Sequence, residues 1–154
     1  MNNNNDNQNS SGQVTIIAQY IKDKSFENPN APVNLTALKT QPAIELNLDL
    51  SAKALSENNY EVAMQIKAKA ASEDKVLFLV DLTYAGLFLL DNIPEEHKEF
   101  ILLVQCPSII FPFARRIIAD DTRDGGFQPL MIDPVDFSVL YARKKQQDGS
   151  SNLN

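Results

Sequence analysis

The segment from Lys75 to Leu90 constrains the fold most, because it has the composition of a strand that is apolar on both faces. Val76 to Val80 is apolar without interruption, and further along Tyr84 falls on one face of a strand while Asp81 and Thr83 fall on the other. A strand packed against a single layer of helices buries one face only. We therefore expect one face of this strand to meet something beyond the helices of its own subunit, and a second copy is the economical partner.

Three earlier segments alternate apolar and polar residues as strands do: Val14–Tyr20, Ile44–Leu50 and Tyr60–Ala71. In the second of these, four aliphatic residues alternate with Glu45, Asn47 and Asp49. The turn at 72–74 is short enough to join the third strand to the fourth as a hairpin.

After Pro94 the apolar period becomes helical. Pro107 and Pro112 each remove a backbone donor, so the sequence predicts a segmented or kinked helix to about Asp121. The pair Gly125-Gly126 ends it, and a last helix is predicted to begin at Asp133-Pro134. Strands followed by helices predict an α+β fold, with an antiparallel sheet covered on one face.

Composition excludes several classes of protein. The chain has 154 residues and a net charge of −6, a field that repels phosphate and disfavours nucleic acid as a partner. One cysteine and one histidine exclude an internal disulfide and a Cys/His zinc site. Neither phosphate-binding motif, GxxxxGK[ST] or GxGxxG, occurs. Nucleotide hydrolysis is therefore not expected.

The two ends of the chain are polar. Residues 1–12 and 146–154 are predicted to be disordered tails around a single domain at 13–145, since they carry few apolar side chains. The N-terminal residues lack the basic start and apolar stretch of a signal peptide. No uninterrupted apolar run approaches the roughly 18 residues of a membrane span. A soluble cytoplasmic protein is expected.

Two residues could carry catalysis. Cys106 is followed by Pro107 and could cap a helix, the setting that makes a thiol reactive, but a buried structural thiol is the favoured interpretation. His97, between Glu96 and Lys98, is interpreted as a surface residue.

Other residues have two interpretations on pattern alone. Asp23, Glu27 and Asp81 have the features of solvated strand charges. The apolar residues of the linker after the first strand, such as Leu35 and Leu38, either enter the core or line a groove.

Three segments together are specific: SFENPNAP (25–32), CPSIIFPFAR (106–115) and GGFQPLMIDPVDF (125–137). In these the chain resembles SecB, a family of bacterial protein-export chaperones, and the resemblance covers essentially the whole of 13–145 in matching order. It implies a Greek-key-like sheet of four strands, with a long kinked helix and a C-terminal helix on one face. It also implies a homotetramer, a dimer of dimers, that uses no nucleotide or other cofactor and does not insert into membranes.

The resemblance further implies roles for particular residues. Unfolded preproteins would bind in apolar grooves and pass to the SecA motor ATPase. The SecA-docking positions match Asp23, Glu27, Leu79 and Asp81. The face of the fourth strand that is tied to subunit assembly carries Val80, Leu82 and Tyr84. The groove positions match Ile44, Leu46 and Leu48 on the second strand, Leu35 and Leu38 in the linker, and Phe137 in the last helix.

Two rival functions stay open. One is a SecB-like chaperone dedicated to a single client, such as an antitoxin. The other is a small α+β enzyme or ligand-binding protein that uses Cys106 or His97, and it predicts a deep enclosed pocket around one of these residues.

Overall fold

The computed structural model describes residues 11–36 and 41–151. Four long strands form one antiparallel sheet in the spatial order β1-β4-β3-β2; they are β1 (Gln13–Glu27), β2 (Ala43–Ser56), β3 (Asn59–Ser72) and β4 (Lys75–Asp91). The last three follow one another as hairpins while β1 lies beside β4, so the Greek-key-like arrangement is confirmed. The strands extend beyond the predicted segments, most of all β1.

The turn between β3 and β4 has the backbone that a tight antiparallel connection requires. Glu73 and Asp74 both have positive φ, 51° and 64°, between the paired residues Ser72 and Lys75. Two left-handed residues in sequence give the twist that matches the flanking strands. The predicted hairpin is confirmed.

One helix of 30 residues follows the sheet, from Glu95 to Asp124. It consists of α2 (Glu95–Phe100), a π-helical turn (Ile101–Gln105) and α3 (Cys106–Asp124). The helix is segmented, as predicted, but the interruption is the π-helical turn before Pro107 and not a break at either proline. The wide turn, in which the Cys106 N–H donates to the carbonyl of Ile101, comes immediately before Pro107. Such a bulge re-routes the hydrogen bonds and lets the helix continue through a residue without a donor.

The helix ends at the predicted glycines. The N–H groups of Gly125 and Gly126 donate to the carbonyls of Asp121 and Arg123, and Gly126 has a φ of +92°. A left-handed residue at this point is the usual way to end a helix. By length and composition this helix could cross a membrane. Half of its most apolar stretch is nevertheless buried within the fold, as in the core helix of a soluble protein.

The last helix, α4 (Phe137–Ser151), begins later than predicted. Asp136, not Asp133, caps it: its carboxylate accepts from the backbone N–H of Ser138 at 3.0 Å and from that of Val139 at 3.3 Å. The Ser138 hydroxyl donates to the same carboxylate, and this bond, with the two backbone bonds, holds the pKa of Asp136 below its usual range. The backbone is helical through residue 151, so α4 includes residues 146–151 of the segment predicted to be a tail.

Helix α3 packs over β4 and β3 and forms the core with them. We call this side of the sheet the covered face and the other side the open face. The buried side chains of the covered face come from alternate positions of the two central strands: Val62, Met64, Ile66, Ala68, Val80, Leu82, Phe88 and Leu90. Ile110, Ala114 and Ile118 of α3 lie against them.

Candidate functional site

The covered face has an apolar margin at β2 that the helices leave open. Ile44 and Leu46 point to this face, since they pair across the sheet with the buried residues Ala70 and Ala68. Their side chains nevertheless remain 43% and 45% exposed. The cause is position: β2 is an edge strand, and α3 lies over the two central strands. An apolar surface is therefore presented to solvent.

A cavity of about 300 Å³ lies at one end of this margin. We call it the α4 cavity, because α4 forms one wall and β2 the other. Leu48 and Leu50 come from β2, and Leu103 from the π-helical turn. The remaining lining is Asp49, Leu140, Tyr141, Lys144 and Gln147.

A second cavity, of about 410 Å³, lies at the other end beside Ile44. We call it the Phe127 cavity. Phe127 packs against Phe78, with ring centroids 5.1 Å apart, and Phe78 stacks on Phe26 at 6.0 Å. Aromatic walls of this kind present much apolar area with little loss of side-chain entropy on binding. The remaining lining is Pro42, Leu77, Gly126, Gln128, Pro129 and Leu130.

The linker that follows β1 is fastened beside the Phe127 cavity by three asparagines. Side-chain amides of Asn28, Asn30 and Asn34 donate to backbone carbonyls. The acceptors are Gly125, at the end of α3, and Val76 and Leu77, at the start of β4, at 2.9, 2.8 and 3.3 Å respectively. The bonds of Asn28 and Asn30 give two residues of the SFENPNAP segment a structural role.

The linker also brings Leu35 to this cavity. A Cβ added at Gly126 would lie 3.2 Å from the two methyl carbons of Leu35, so the leucine packs directly over this glycine of the cavity wall. The predicted groove residues Leu35 and Ile44 thus border one cavity, Leu48 borders the other, and Leu46 lies on the strand between them. Leu38 lies outside the described residues.

Phe137 is buried in the core, contrary to its predicted place in a groove. Its side chain is only 2% exposed, and its ring packs edge-on against Phe111 at 5.9 Å. As the first residue of α4 it anchors the helix to the core, so it cannot contact a client directly. Sequence reasoning missed Phe127, Leu140 and Tyr141, which do line the cavities. An aromatic residue in a loop between glycine and proline could have suggested Phe127.

The open face brings together the four residues predicted to dock SecA. Asp23, Glu27, Leu79 and Asp81 project from the paired strands β1 and β4, where Glu27 is opposite Leu79 and Ser25 is opposite Asp81. Asp23 and Glu27 are exposed, and Leu79 and Asp81 are half-buried. The Gln65 amide donates to the Asp81 carboxylate at 3.1 Å. Leu79, Asp81 and Glu27 line a shallow cavity of about 360 Å³.

Further along the open face a polar network crosses three strands. The carboxylate of Glu61 on β3 accepts from the Tyr20 hydroxyl at 2.5 Å and from the Lys22 ammonium at 2.9 Å, both on β1. These hydrogen bonds lower the pKa of Glu61. Burial, with a smaller contribution from Glu61, raises the pKa of Tyr20 to about 12.

The structure also differs from the prediction for the three residues related to subunit assembly, Val80, Leu82 and Tyr84. Their side chains are 2%, 0% and 8% exposed, because they point to the covered face beneath α3. They lie inside the subunit and therefore cannot meet a second copy directly. The face of β4 that remains partly exposed is the opposite one, which carries Leu79, Asp81 and Thr83.

Cys106 is buried in the core, and burial raises the pKa of its thiol to about 12. A thiol with such a pKa is almost entirely protonated at neutral pH and is a poor nucleophile. The interpretation as a structural thiol is confirmed. His97 is exposed, as predicted. Within the described ranges, no group of three His, Cys, Asp or Glu residues is placed to hold a metal ion.

The family of this chain follows from comparison of its sequence with those of known proteins. The family model "Preprotein translocase subunit SecB" matches residues 6–148. The Protein-export protein SecB of Parvibaculum lavamentivorans is 53% identical over 135 residues, which are 88% of this chain and 80% of that protein. The protein of the same name from Maricaulis maris is 51% identical over 129 residues, 84% of this chain and 75% of that protein.

A solved structure shares the fold at much lower identity. It is a SecB-like chaperone of Mycobacterium tuberculosis, in complex with a peptide from the HigA1 antitoxin. The TM-score is 0.66 and the identity 15%, with 79% of this chain and 90% of that chain covered. The extent of the family match and the identity to these relatives lead to one conclusion: the chain belongs to the SecB family, whose members are protein-export chaperones rather than enzymes.

Proposed function

We propose that this protein is a cytoplasmic holdase that binds unfolded preproteins on the apolar margin of β2, keeps them competent for translocation and delivers them to SecA. The observation that carries the proposal is the exposure of Ile44 and Leu46 between two apolar cavities. An unfolded chain exposes the apolar side chains that such a surface can bury, whereas a folded protein hides them. Selection is thus by unfolded state and not by sequence.

The strength of binding follows from repetition of a weak contact. Burial of apolar surface contributes roughly 25 cal/mol per Å², so one margin of this size holds a client weakly. Several margins on one assembly raise the effective concentration of each later contact. Net binding becomes tight without a requirement for nucleotide.

We propose that the assembly is a homotetramer, a dimer of dimers, built on apolar surfaces that lie outside the margin. Ile16, Ile17 and Ile21 are exposed on β1, the edge strand opposite β2. Ile109 and Phe113 are exposed on α3. Light scattering should give the mass of four chains for the wild type. Phe113→Glu should give a smaller mass, and an unchanged mass would remove this helix surface from the interface.

Release would depend on docking of SecA at the open face. Asp23, Glu27 and Asp81 form an acidic group around Leu79, to which a basic segment of SecA is attracted. Contacts between exposed charges are screened by salt. The affinity for SecA should therefore fall as ionic strength rises.

Arrest of refolding is the first test. A slow-folding denatured protein is diluted into nucleotide-free buffer with and without this protein. Arrest near one assembly per client supports a general holdase. Normal refolding of several unrelated clients would contradict it, and a pull-down that returned one dominant client would then favour the dedicated chaperone.

Charge reversal tests the docking site separately. Asp23→Lys combined with Asp81→Lys should abolish measurable binding to SecA while client arrest is unchanged. Lys53→Glu, which alters charge at the far end of β2, is a control for the response to a distant charge. Retained affinity for SecA in the folded double variant would remove these residues from the docking site.

A further inference from the structure

Three of the four docking residues, Glu27, Leu79 and Asp81, belong to two rows of side chains that cross all four strands of the open face, and Asp23 lies opposite Thr83 in the row beyond them. One row contains Glu27, Leu79, Lys69 and Glu45, and the next contains Ser25, Asp81, Lys67 and Asn47. These eight residues all line the same shallow cavity. The acidic docking site on β1 and β4 therefore continues directly into a pair of lysines on β3.

The charges in these rows remain available to a partner. Among the described residues, no carboxylate lies within 4 Å of the ammonium group of Lys67 or Lys69. Asp81 is directly opposite Lys67, yet its carboxylate accepts from Gln65 instead. Lys67 is flanked on its other side by the neutral Asn47. Both lysine side chains are exposed.

We infer that the site selects a segment with two opposite charges: a cation that meets Asp23, Glu27 and Asp81, a carboxylate that meets Lys67 and Lys69, and an apolar side chain between them on Leu79. This inference rests on the proposed docking of SecA and defines the chemistry of its docking segment. A purely basic segment would leave the lysines facing like charge, which costs free energy and disfavours wrong partners.

The spacing of the charges on the partner follows from the sheet. Neighbouring strands lie about 4.8 Å apart, so β1 and β3, which flank β4, are about 10 Å apart. An extended segment that crosses the strands spans this distance in about three residues. Opposite charges at the two ends also fix the direction in which the segment lies.

Neutralisation of the lysines gives a test in which the two accounts predict opposite signs. Lys67→Gln with Lys69→Gln makes the protein more acidic by two charges. A site that attracts only cations should then bind SecA more tightly. A site for a segment of both charges should bind it about two- to fivefold more weakly, because surface ionic contacts are lost.

Lys53→Gln is the matched control. Lys53 lies on the same face, six residues beyond Asn47 on β2 and therefore about 20 Å away. The substitution is of the same kind and changes the net charge in the same direction. Its affinity for SecA should equal or slightly exceed that of the wild type.

The outcomes separate this inference from the proposed function. Weaker binding of the Lys67→Gln/Lys69→Gln variant, with Lys53→Gln at the wild-type level, supports the inference. Tighter or unchanged binding overturns it and leaves SecA docking intact. Absence of SecA binding by the wild type, or full affinity in the Asp23→Lys/Asp81→Lys variant, overturns the proposed docking and this inference with it.

Discussion

Strands β4 and β2 carry the same kind of apolar row on the covered face, but the two rows have different environments. Leu82 on β4 is 0% exposed beneath α3, whereas Leu46 on β2 is 45% exposed. The difference lies in what covers each strand, since one long helix is wide enough for the two central strands and leaves the edge open. The same residue type is structural in one row and available for binding in the other.

The difference shows how a chaperone surface can be made without a dedicated pocket. An apolar edge strand is ordinarily an aggregation hazard. Here the exposed row is short, is bounded by two cavities, and alternates with Glu45, Asn47 and Asp49 on the other face of the strand. The incomplete helix layer therefore becomes a binding site.

The largest effect is expected from truncation in the buried row. Leu82→Ala should lower the free energy of unfolding by about 2–5 kcal/mol, because it leaves a cavity beneath α3. Leu46→Ala should lower it by less than about 1 kcal/mol, because its side chain is already half in water. Urea denaturation measures the free energy of unfolding of both variants. Equal losses would contradict the distinction between the buried row of β4 and the exposed row of β2.

A smaller loss is expected at the aromatic wall of the Phe127 cavity. A Cβ at Gly125 would overlap Cζ of Phe26, so Gly125→Ala forces that ring to move. Overpacking of this kind costs about 1–3 kcal/mol. Leu35→Ser, over the neighbouring Gly126, should leave the free energy of unfolding nearly unchanged, because Leu35 is already 39% exposed. If urea denaturation gives Gly125→Ala the same free energy of unfolding as the wild type, the cavity wall accommodates the added methyl group without strain, and this prediction is wrong.

The open face should contribute the smallest, pH-dependent effect. The pKa of Glu61 is below its ordinary value of 4.5 in the folded protein, so its network stabilises the fold above that pH and is lost as pH falls through the folded pKa. The difference in free energy of unfolding between the wild type and Glu61→Gln should be about 1 kcal/mol or less at pH 7 and should shrink in acid. A pH-independent difference would contradict this assignment.

Much of the fold could be predicted from the sequence, because the alternation of apolar and polar residues along a strand indicates which residues share a face. It does not state which face a helix will cover. The resemblance to SecB relates Val80, Leu82 and Tyr84 to assembly, and alternation alone does not show that α3 buries them. Phe137 shows the same limit, since a helix stripe has a groove side and a core side. The cavities depend on where α4 and the linker pack, which no local pattern encodes.

The most direct test of the account compares two leucines of the same strand. Leu46 and Leu55 are 45% and 51% exposed on β2, but Leu46 lies between the two cavities whereas Leu55 lies at the far end of the strand, beyond both. Affinity for an unfolded client should fall about threefold to tenfold in Leu46→Ser, because the client loses apolar contact there. It should stay at the wild-type level in Leu55→Ser. Equal affinities in the two variants would contradict the assignment of client binding to the margin of β2.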